Sequence, residues 1–506
     1  MKALPHRALA RLKALPAPSA SFRIDVRGNP ARFSHVIFWT FLAACVTVNY
    51  PGRLSADAVG QLIGAYDVAH LNNWHSPLIA WLWSIPGGLI GQPAGALLIQ
   101  SLPLAFYAAV RSSRPFLMTA RDGAALVVEL AFKAALIALA GTIIKDVLLG
   151  GLVLAAVAAL QLSLSGNNRK RWISLGLACL ALVAMVRPAN FVLLLIPAWA
   201  FLYFSGLSRR TFWLAAFGVT LAALLLLPAY GVLTRVAFGP RPVQPEKQLI
   251  LFDIAAVSAS AGQNLFRGIG GWPADGLPEP GTCYTPAMWD PMAPWGRCKG
   301  YSIAYDKSYH RAGGSPLVKQ WATAIVSHPG AYVNHRARHV VGSLQSGMGR
   351  FGERSAWGNN DALIALNSTD KAAELARISA GRLPKGYFAM AEQSILPKPF
   401  SRMARIVLGT RGMPLVALIA CIGLLGWQLR RHRKGAAIDP VIVFATSLGI
   451  ANLLLVGVFG VSTSARYLLP LILCSYVAIL AALQKAPDRG DEPASGGENK
   501  ALGEAN

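Results

Sequence analysis

The sequence predicts an all-α polytopic membrane protein of about ten transmembrane helices, with one extracytoplasmic domain that is mainly helical or irregular. Three observations predict it. Hydrophobic residues make up 54% of the 506-residue chain and charged residues 14%, with a mean hydropathy of +0.44. Apolar runs of near-bilayer length recur along most of the chain. Basic residues alternate from loop to loop, as cytoplasmic loops demand. A soluble protein of this size could not hide so much apolar surface. The same composition excludes collagen-like, disordered and small disulfide-scaffold classes. A net charge of +25 would suggest nucleic acid in a soluble protein. Here the positive-inside bias explains about half of it, and no nucleic-acid partner is expected.

Residues 1–33 form a basic tail with Lys2, Arg7, Arg11, Lys13, Arg23, Arg27 and Arg32 against Asp25. It has no long apolar run, and no small-residue cleavage site follows, so it reads as a cytoplasmic tail. A transmembrane module spans 34–230. Its first span, about 34–50, leads to an external loop, 51–94, whose one Lys or Arg is Arg53. Within that loop, His75 to Gly88 is apolar and Trp-rich but short and broken by Pro77, Pro86 and Gly87, which suits an interfacial or re-entrant helix. The remaining spans fall at about 95–110, 123–141, 147–164, 172–186, 189–204, 212–230, 413–429, 440–458 and 467–484. Inside loops then hold Arg111, Arg114 and Arg121; Arg169, Lys170 and Arg171; Arg209 and Arg210; and Arg430, Arg431, Arg433 and Lys434. Short outside loops hold Lys145, Arg187 and Arg466.

Segment 231–412 is rich in Gly, Pro and Trp, carries 21 basic and 11 acidic residues, and has no full-length span. It is too long for a structureless loop and reads as the extracytoplasmic domain. Ser315-Pro316 marks a helix start. Helices over about 316–327 and 331–346 flank His328-Pro329-Gly330, and Ser368 to Ile378 reads as another capped helix. The C-terminal helices occupy 413–484, and 485–506 reads as a disordered cytoplasmic tail. Cys45, Cys179, Cys421 and Cys474 fall in spans as small apolar packers. Cys283 and Cys298, the two outside, are expected to pair in an oxidising compartment.

The chemistry-bearing residues gather around the first external loop. It reads Pro51-Gly52-Arg53-Leu54-Ser55-Ala56-Asp57, then Gln61, then Asn72-Asn73-Trp74-His75-Ser76-Pro77. An acid just beyond the first span, where water meets lipid, can serve as general base on an acceptor hydroxyl while a lipid-linked donor reaches in. It can equally cap a helix beginning near Ala58. Gly141-Thr142-Ile143-Ile144-Lys145-Asp146 lies at the outer end of another span. Charged groups there are costly unless used or hydrated: Lys145 suits a donor phosphate and Asp146 its orientation, or Lys145 anchors by snorkelling. Arg187 and Arg466 also stand at outer span ends, against the positive-inside trend. Arg466 is the candidate to grip a phosphate bidentately, or else to meet headgroups.

This order of elements resembles the GT-C superfamily of integral-membrane glycosyltransferases, which includes protein O-mannosyltransferases and aminoarabinose transferases. An early external acid, Asp57, is followed by a Trp-His-x-Pro element, Trp74-His75-Ser76-Pro77. Ala465-Arg466-Tyr467-Leu468-Leu469-Pro470 is similar to an Arg-Tyr-x-x-Pro element before a late span. The likeness is best through about residue 205. It departs at His75-Ser76-Pro77, where His-Pro-Pro is usual, and at Ala58, where the O-mannosyltransferases carry a second acid. The resemblance implies a GT-C-like fold and a polyprenyl-phosphate-linked sugar donor, with a lipid, glycan or protein as acceptor. It implies inverting displacement with Asp57 as base, and Gln61, His75, Lys145, Asp146, Arg466 and Tyr467 as binding residues. No cofactor is called for, although a divalent metal would be compatible. The location it implies is a bacterial inner membrane, as part of cell-envelope synthesis, with the N-terminus cytoplasmic and membrane lipids as neighbours.

Other features have plainer readings. Glu129 and Lys133, four apart on one helix face, suit a neutralising intrahelical pair. His335 and His339 have a chelating spacing, but Arg336 and Arg338 between them favour a headgroup-facing surface over metal. Trp272, Trp289 and Trp295 suit packing of the disulfide-tied domain, or sugar stacking. Asn367-Ser368-Thr369 matches a glycosylation acceptor pattern. No Walker A, GxGxxG, zinc or Ser-His-Asp pattern stands out. The rival functions are a transporter or flippase of lipid-linked saccharides, and a saccharide polymerase or ligase. A flippase would show paired halves with broken spans, which are not evident. Segment 231–412 could mimic the late external loop of a ligase.

Overall fold

The structure is a computed structural model. It describes residues 30–347 and 402–484, apart from positions 51, 55, 67–70, 72–75, 92, 113–119, 166–167, 188–190, 206, 240–243, 270–271 and 273–275. Nearly all of the described chain is helical. Its first part runs α1 (Pro30–Asn49), β1 (Arg53–Leu54), α2 (Ala56–Tyr66), α3 (Pro77–Ile90), α4 (Ala94–Ser112), α5 (Ala120–Ala140), β2 (Thr142–Ile143), α6 (Lys145–Leu164), α7 (Arg169–Val186), α8 (Phe191–Phe204) and α9 (Arg209–Phe238). Then come α10 (Lys247–Ala261), α11 (Gly300–Ala312), α12 (Ser315–Ser327), α13 (Pro329–Gln345), α14 (Met413–Arg433), α15 (Pro440–Phe459) and α16 (Leu469–Gln484).

Among the described residues, seven helices are long and apolar enough to cross a membrane: α4, α5 from Asp122, α6, α9, α14, α15, and α16 with its preceding turn. Three further apolar helices are shorter: Ser34–Asn49, Pro77–Ile90 and Leu195–Phe204. Helix α3 is thus the short segment expected at His75 to Gly88.

The membrane module is organised around α6, which is buried along most of its length. Its Gly150 and Gly151 let neighbours approach on two sides. A Cβ at Gly150 would lie 2.8 Å from Leu473 of α16, and one at Gly151 2.9 Å from Pro103 of α4. Apolar helices in lipid gain nothing from hydrophobic exclusion of one another, so close packing at small residues must hold them. Helix α9 is the opposite case: Trp213, Leu214, Phe217, Leu224 and Leu225 are all exposed, which suits a lipid-facing helix. It also runs on past the boundary expected at 230. The turn signal there is Gly239, which ends the helix in the left-handed conformation with φ 49°, and Gly231 does not interrupt it.

The second core lies in the segment between α9 and α14 and gathers Phe252, Phe266, Tyr301, Tyr305 and Leu317. Helices α12 and α13 begin with Pro in their first turns, as expected from Ser315-Pro316 and Pro329. Cys283 and Cys298 form the expected disulfide, with Cα atoms 6.0 Å apart. Cys45, Cys179, Cys421 and Cys474 are free and buried. The segment Ser368 to Ile378 and Asn367 lie outside the described residues. Trp272 stacks on Phe266 and Trp289 is buried, as packing predicts, but Trp295 is exposed.

The headgroup-facing reading of the His335 segment is corrected. Helical spacing turns His335, Arg336, His339 and Ser343 onto one buried face and leaves Arg338 outside. The buried face meets Asp253 of α10, whose carboxylate is wholly buried. Arg336 Nη2 donates to Asp253 Oδ1, Trp321 Nε1 donates to Oδ2 at 2.8 Å, and His335 Nε2 lies 3.1 Å from Oδ1. Tyr284 Oη is 2.9 Å from His335 Nδ1. Arg336 Nη1 also donates to Gly460 O at 2.7 Å, and His339 Nδ1 is 3.2 Å from Pro286 O. A buried carboxylate is tolerable only when so fully partnered. The network therefore ties the second core to the chain that leads into α16.

Burial pushes His339 down from 6.5 to about 4, and it also lowers His335. Between pH 6.5 and about 4 the unfolded chain therefore binds the proton that folded His339 refuses. The stability His339 contributes is complete above pH 6.5 and drains away as pH falls toward 4. The melting temperature should fall across that window. His339→Gln, which cannot titrate there, should flatten the fall; equal slopes for both proteins would contradict this assignment.

Candidate functional site

The site begins where α5 ends. A helix leaves its last carbonyls without intrahelical donors. Side chains from elsewhere meet three of them: Asn49 Nδ2 donates to Ile137 O at 2.7 Å, Arg53 Nη2 to Ala138 O at 3.0 Å, and Gln100 Nε2 to Ala140 O. The Arg53 cation at this C-terminus also meets the negative end of the helix dipole. Arg53 N then donates to Gly141 O at 2.8 Å, and β1 and β2 pair in parallel, Arg53 with Thr142 and Leu54 with Ile143. Glycine is required twice. Gly52 has φ +94°, and a Cβ there would meet Ile143; one at Gly141 would run into Asn49 and Arg53.

This pairing fixes a register between two helix starts. Asp57 follows Leu54 by three residues, and Asp146 follows Ile143 by three. Each aspartate is the second residue of its helix, α2 or α6, where the positive end of the helix dipole favours a carboxylate. Asp57 therefore sits in the first turn of α2, which begins at Ala56 rather than near Ala58. Each acid meets an arginine. Asp57 Oδ2 is 3.0 Å from Arg466 Nη1, and Asp146 Oδ1 is 3.8 Å from Arg187 Nη1. Both guanidiniums lie over the ring of Tyr467, Arg187 at 4.5 Å and Arg466 at 4.9 Å from its centroid. Arg466 Nη2 donates to Tyr467 Oη at 3.0 Å. Lys145 opens α6 within electrostatic reach of Asp57, Asp146, Arg187 and Arg466.

The two pairs differ in exposure. The Asp57 side chain is 32% exposed and that of Asp146 3%. Asp146 Oδ2 is buried without a hydrogen-bond partner among the described residues. Asp146 is thus set into the protein and Asp57 opens outward, while Arg187 and Arg466 are equally exposed. Water-poor surroundings strengthen all these charge interactions.

A short strap joins the chain before α11 to the chain that leads into α16. Residues 287–289 lie antiparallel to 461–463: Trp289 N donates to Val461 O at 2.9 Å and Thr463 N to Ala287 O at 2.7 Å. The next residue, Asp290, is half-buried within electrostatic reach of Arg466 and Asp57. Burial pushes its carboxyl up from the ordinary range, Arg466 pulls it back, and Asp57 adds to the rise.

Of the residues expected from sequence, the structure brings together Asp57, Lys145, Asp146, Arg466 and Tyr467. Gln61 lies one turn beyond Asp57 on α2. It is buried, and its amide oxygen and nitrogen have no partner among the described residues. His75 lies outside the described residues; its neighbour Ser76 has its hydroxyl 2.5 Å from that of Tyr230 on α9. Asp290 was not anticipated, although an acid between Cys283 and Cys298 was a visible signal. Arg187 was noticed only as a misplaced external cation. Glu129 and Lys133 form the expected intrahelical pair at 2.6 Å, joined by Arg111 at 3.9 Å, and stand apart from the site. Among the described residues, no group of three or more His, Cys, Asp or Glu side chains could hold a metal.

In comparisons with protein-family models, curated proteins and solved structures, nothing matches this chain.

Gly52→Ala should test the construction of the site. It forces a side chain into a left-handed conformation and against Ile143, at a cost of about 1–3 kcal/mol. The melting temperature should drop clearly. Gly218→Ala in α9, where a Cβ meets nothing within 4 Å, should not lower it. Equal melting of both variants would show that the β1–β2 join is not under the constraint described.

Proposed function

We propose that the protein is a GT-C-like membrane glycosyltransferase that moves a sugar from a polyprenyl-phosphate donor to an extracytoplasmic acceptor by inverting displacement. The observation that carries the reading is the meeting of Asp57 with Arg466 at 3.0 Å, beside Lys145, Asp146, Arg187 and Tyr467. Such a cluster of acids and cations at the outer ends of apolar helices is expensive unless it is used. Its cations suit a single anionic phosphate presented from the membrane, and its more exposed acid suits an acceptor arriving from the aqueous side. The proposed topology has ten spans in a bacterial inner membrane, with the N-terminus cytoplasmic.

In this mechanism the acceptor hydroxyl oxygen attacks the anomeric carbon and Asp57 takes its proton. The bond between that carbon and the phosphate oxygen breaks, and the lipid phosphate leaves with the electron pair. Arg466 and Lys145 offset the charge that builds on the leaving oxygen. Arg187 and Asp146 hold Tyr467 and the opening of α6 in place beneath it.

The test is sugar transfer from a polyprenyl-phosphate-linked donor by the full-length protein in nanodiscs. Asp57→Asn should lower the rate about 10²–10⁴-fold. Its fold should survive, because the amide keeps the shape and hydrogen bonding of a side chain that is 32% exposed. Lys145→Ala and Arg466→Ala should weaken donor binding as well as turnover, since the phosphate is charged in the ground state and the transition state alike. Transfer by Asp57→Asn at the wild-type rate would remove the central residue of the reading.

A further inference from the structure

Resting on the glycosyltransferase reading, one feature of the site sets an order on its chemistry. The residue asked to accept a proton is paired with a cation. A carboxylate 3.0 Å from a guanidinium is held in its charged form and is a weak base while the pair lasts. The same guanidinium is the group that a donor phosphate would take, because phosphate oxygens match its planar fork. Arg466 is braced by the Tyr467 hydroxyl and ring, so it stays with Tyr467 when its anion changes. Asp57 is the partner with room to move: its side chain is 32% exposed, whereas Asp146, its register equivalent, is buried and stays with Arg187.

We propose that Asp57 and the donor phosphate compete for Arg466, so that donor binding frees Asp57 to act as base and the donor must bind before the acceptor can react. Arg466 is then the residue that couples occupancy of the donor site to base strength. With the site empty, Asp57 is spent on Arg466. With phosphate on Arg466, Asp57 loses that guanidinium, keeps Lys145 within electrostatic reach, and turns toward the acceptor hydroxyl. Asp146–Arg187 remains as the fixed half of the arrangement and keeps Tyr467 in place.

The competition makes a prediction that runs against simple loss of function. Removing the Asp57 charge should slow turnover about 10²–10⁴-fold and yet improve donor binding. The probe is a polyprenyl monophosphate without sugar, titrated into the full-length protein in nanodiscs, with binding followed by thermophoresis. Asp57→Asn should bind it about fivefold more tightly than wild type, a change equal to about 1 kcal/mol. Asp57→Ala serves as the second variant should the amide perturb folding. Arg466→Ala should bind at least tenfold more weakly, and adding Asp57→Asn to Arg466→Ala should bring no further gain. Glu279→Gln, which removes one exposed negative charge elsewhere, should bind as wild type does. Binding by Asp57→Asn and Asp57→Ala that is unchanged or weaker would overturn the competition while leaving the glycosyltransferase reading in place. Wild-type protein that does not bind the lipid phosphate at all would overturn both.

Discussion

The arrangement depends on how one helix end is satisfied. Helix α5 terminates inside the protein, and its last carbonyls need donors that neither water nor the helix can supply. Asn49, Arg53 and Gln100 supply them from α1, β1 and α4. Once Arg53 is drawn to Ala138 O, its backbone lies beside Gly141 and Thr142, and the parallel pair forms. Two residues of strand are negligible as a sheet. They matter because a parallel register makes the next three residues of each chain equivalent, which sets Asp57 and Asp146 side by side at two helix starts.

The charge logic of the site follows from that placement. Two acids in neighbouring first turns repel each other unless cations intervene, and Arg187 and Arg466 do so from the ends of α7 and the turn before α16. Tyr467 lets both guanidiniums share one aromatic face, an attraction that grows as water is removed. The domain built on the second core contributes by holding 461–463 with its strap and Gly460 with Arg336. The Asp253 network thus stands apart from the charge group but adjacent to the segment that delivers Arg466. A single tilt of that segment would move Arg466 relative to Asp57.

Much of this was legible in the sequence, for identifiable reasons. Charges at outer span ends are costly, so Lys145, Asp146 and Arg466 stood out without any knowledge of contacts. Ser315-Pro316 and Pro329 marked helix starts through proline's fixed φ. The two external cysteines had no other plausible partner. What was not legible depended on long-range geometry. A two-residue strand is shorter than any periodicity window, so the β1–β2 join left no pattern. Asp290 reaches the site only because 287–289 pair with 461–463, far along the chain. The His335 face was misread because alternating His and Arg suggested a wet surface. Helical rotation puts Arg336 inward to Asp253 and Arg338 outward, and only the position of Asp253 decides between those readings.

In the proposed function this charge group, assembled by the β1–β2 join, receives a lipid-linked phosphate at Arg466. The most direct measurement is a cryo-electron microscopy structure of the full-length protein in nanodiscs with bound polyprenyl monophosphate. The account predicts phosphate density in hydrogen-bonding contact with Arg466 and beside Lys145, with Asp146 still paired to Arg187 and the Asp57 carboxylate turned away from Arg466. Phosphate density bound elsewhere, with Asp57 and Arg466 still joined, would contradict it.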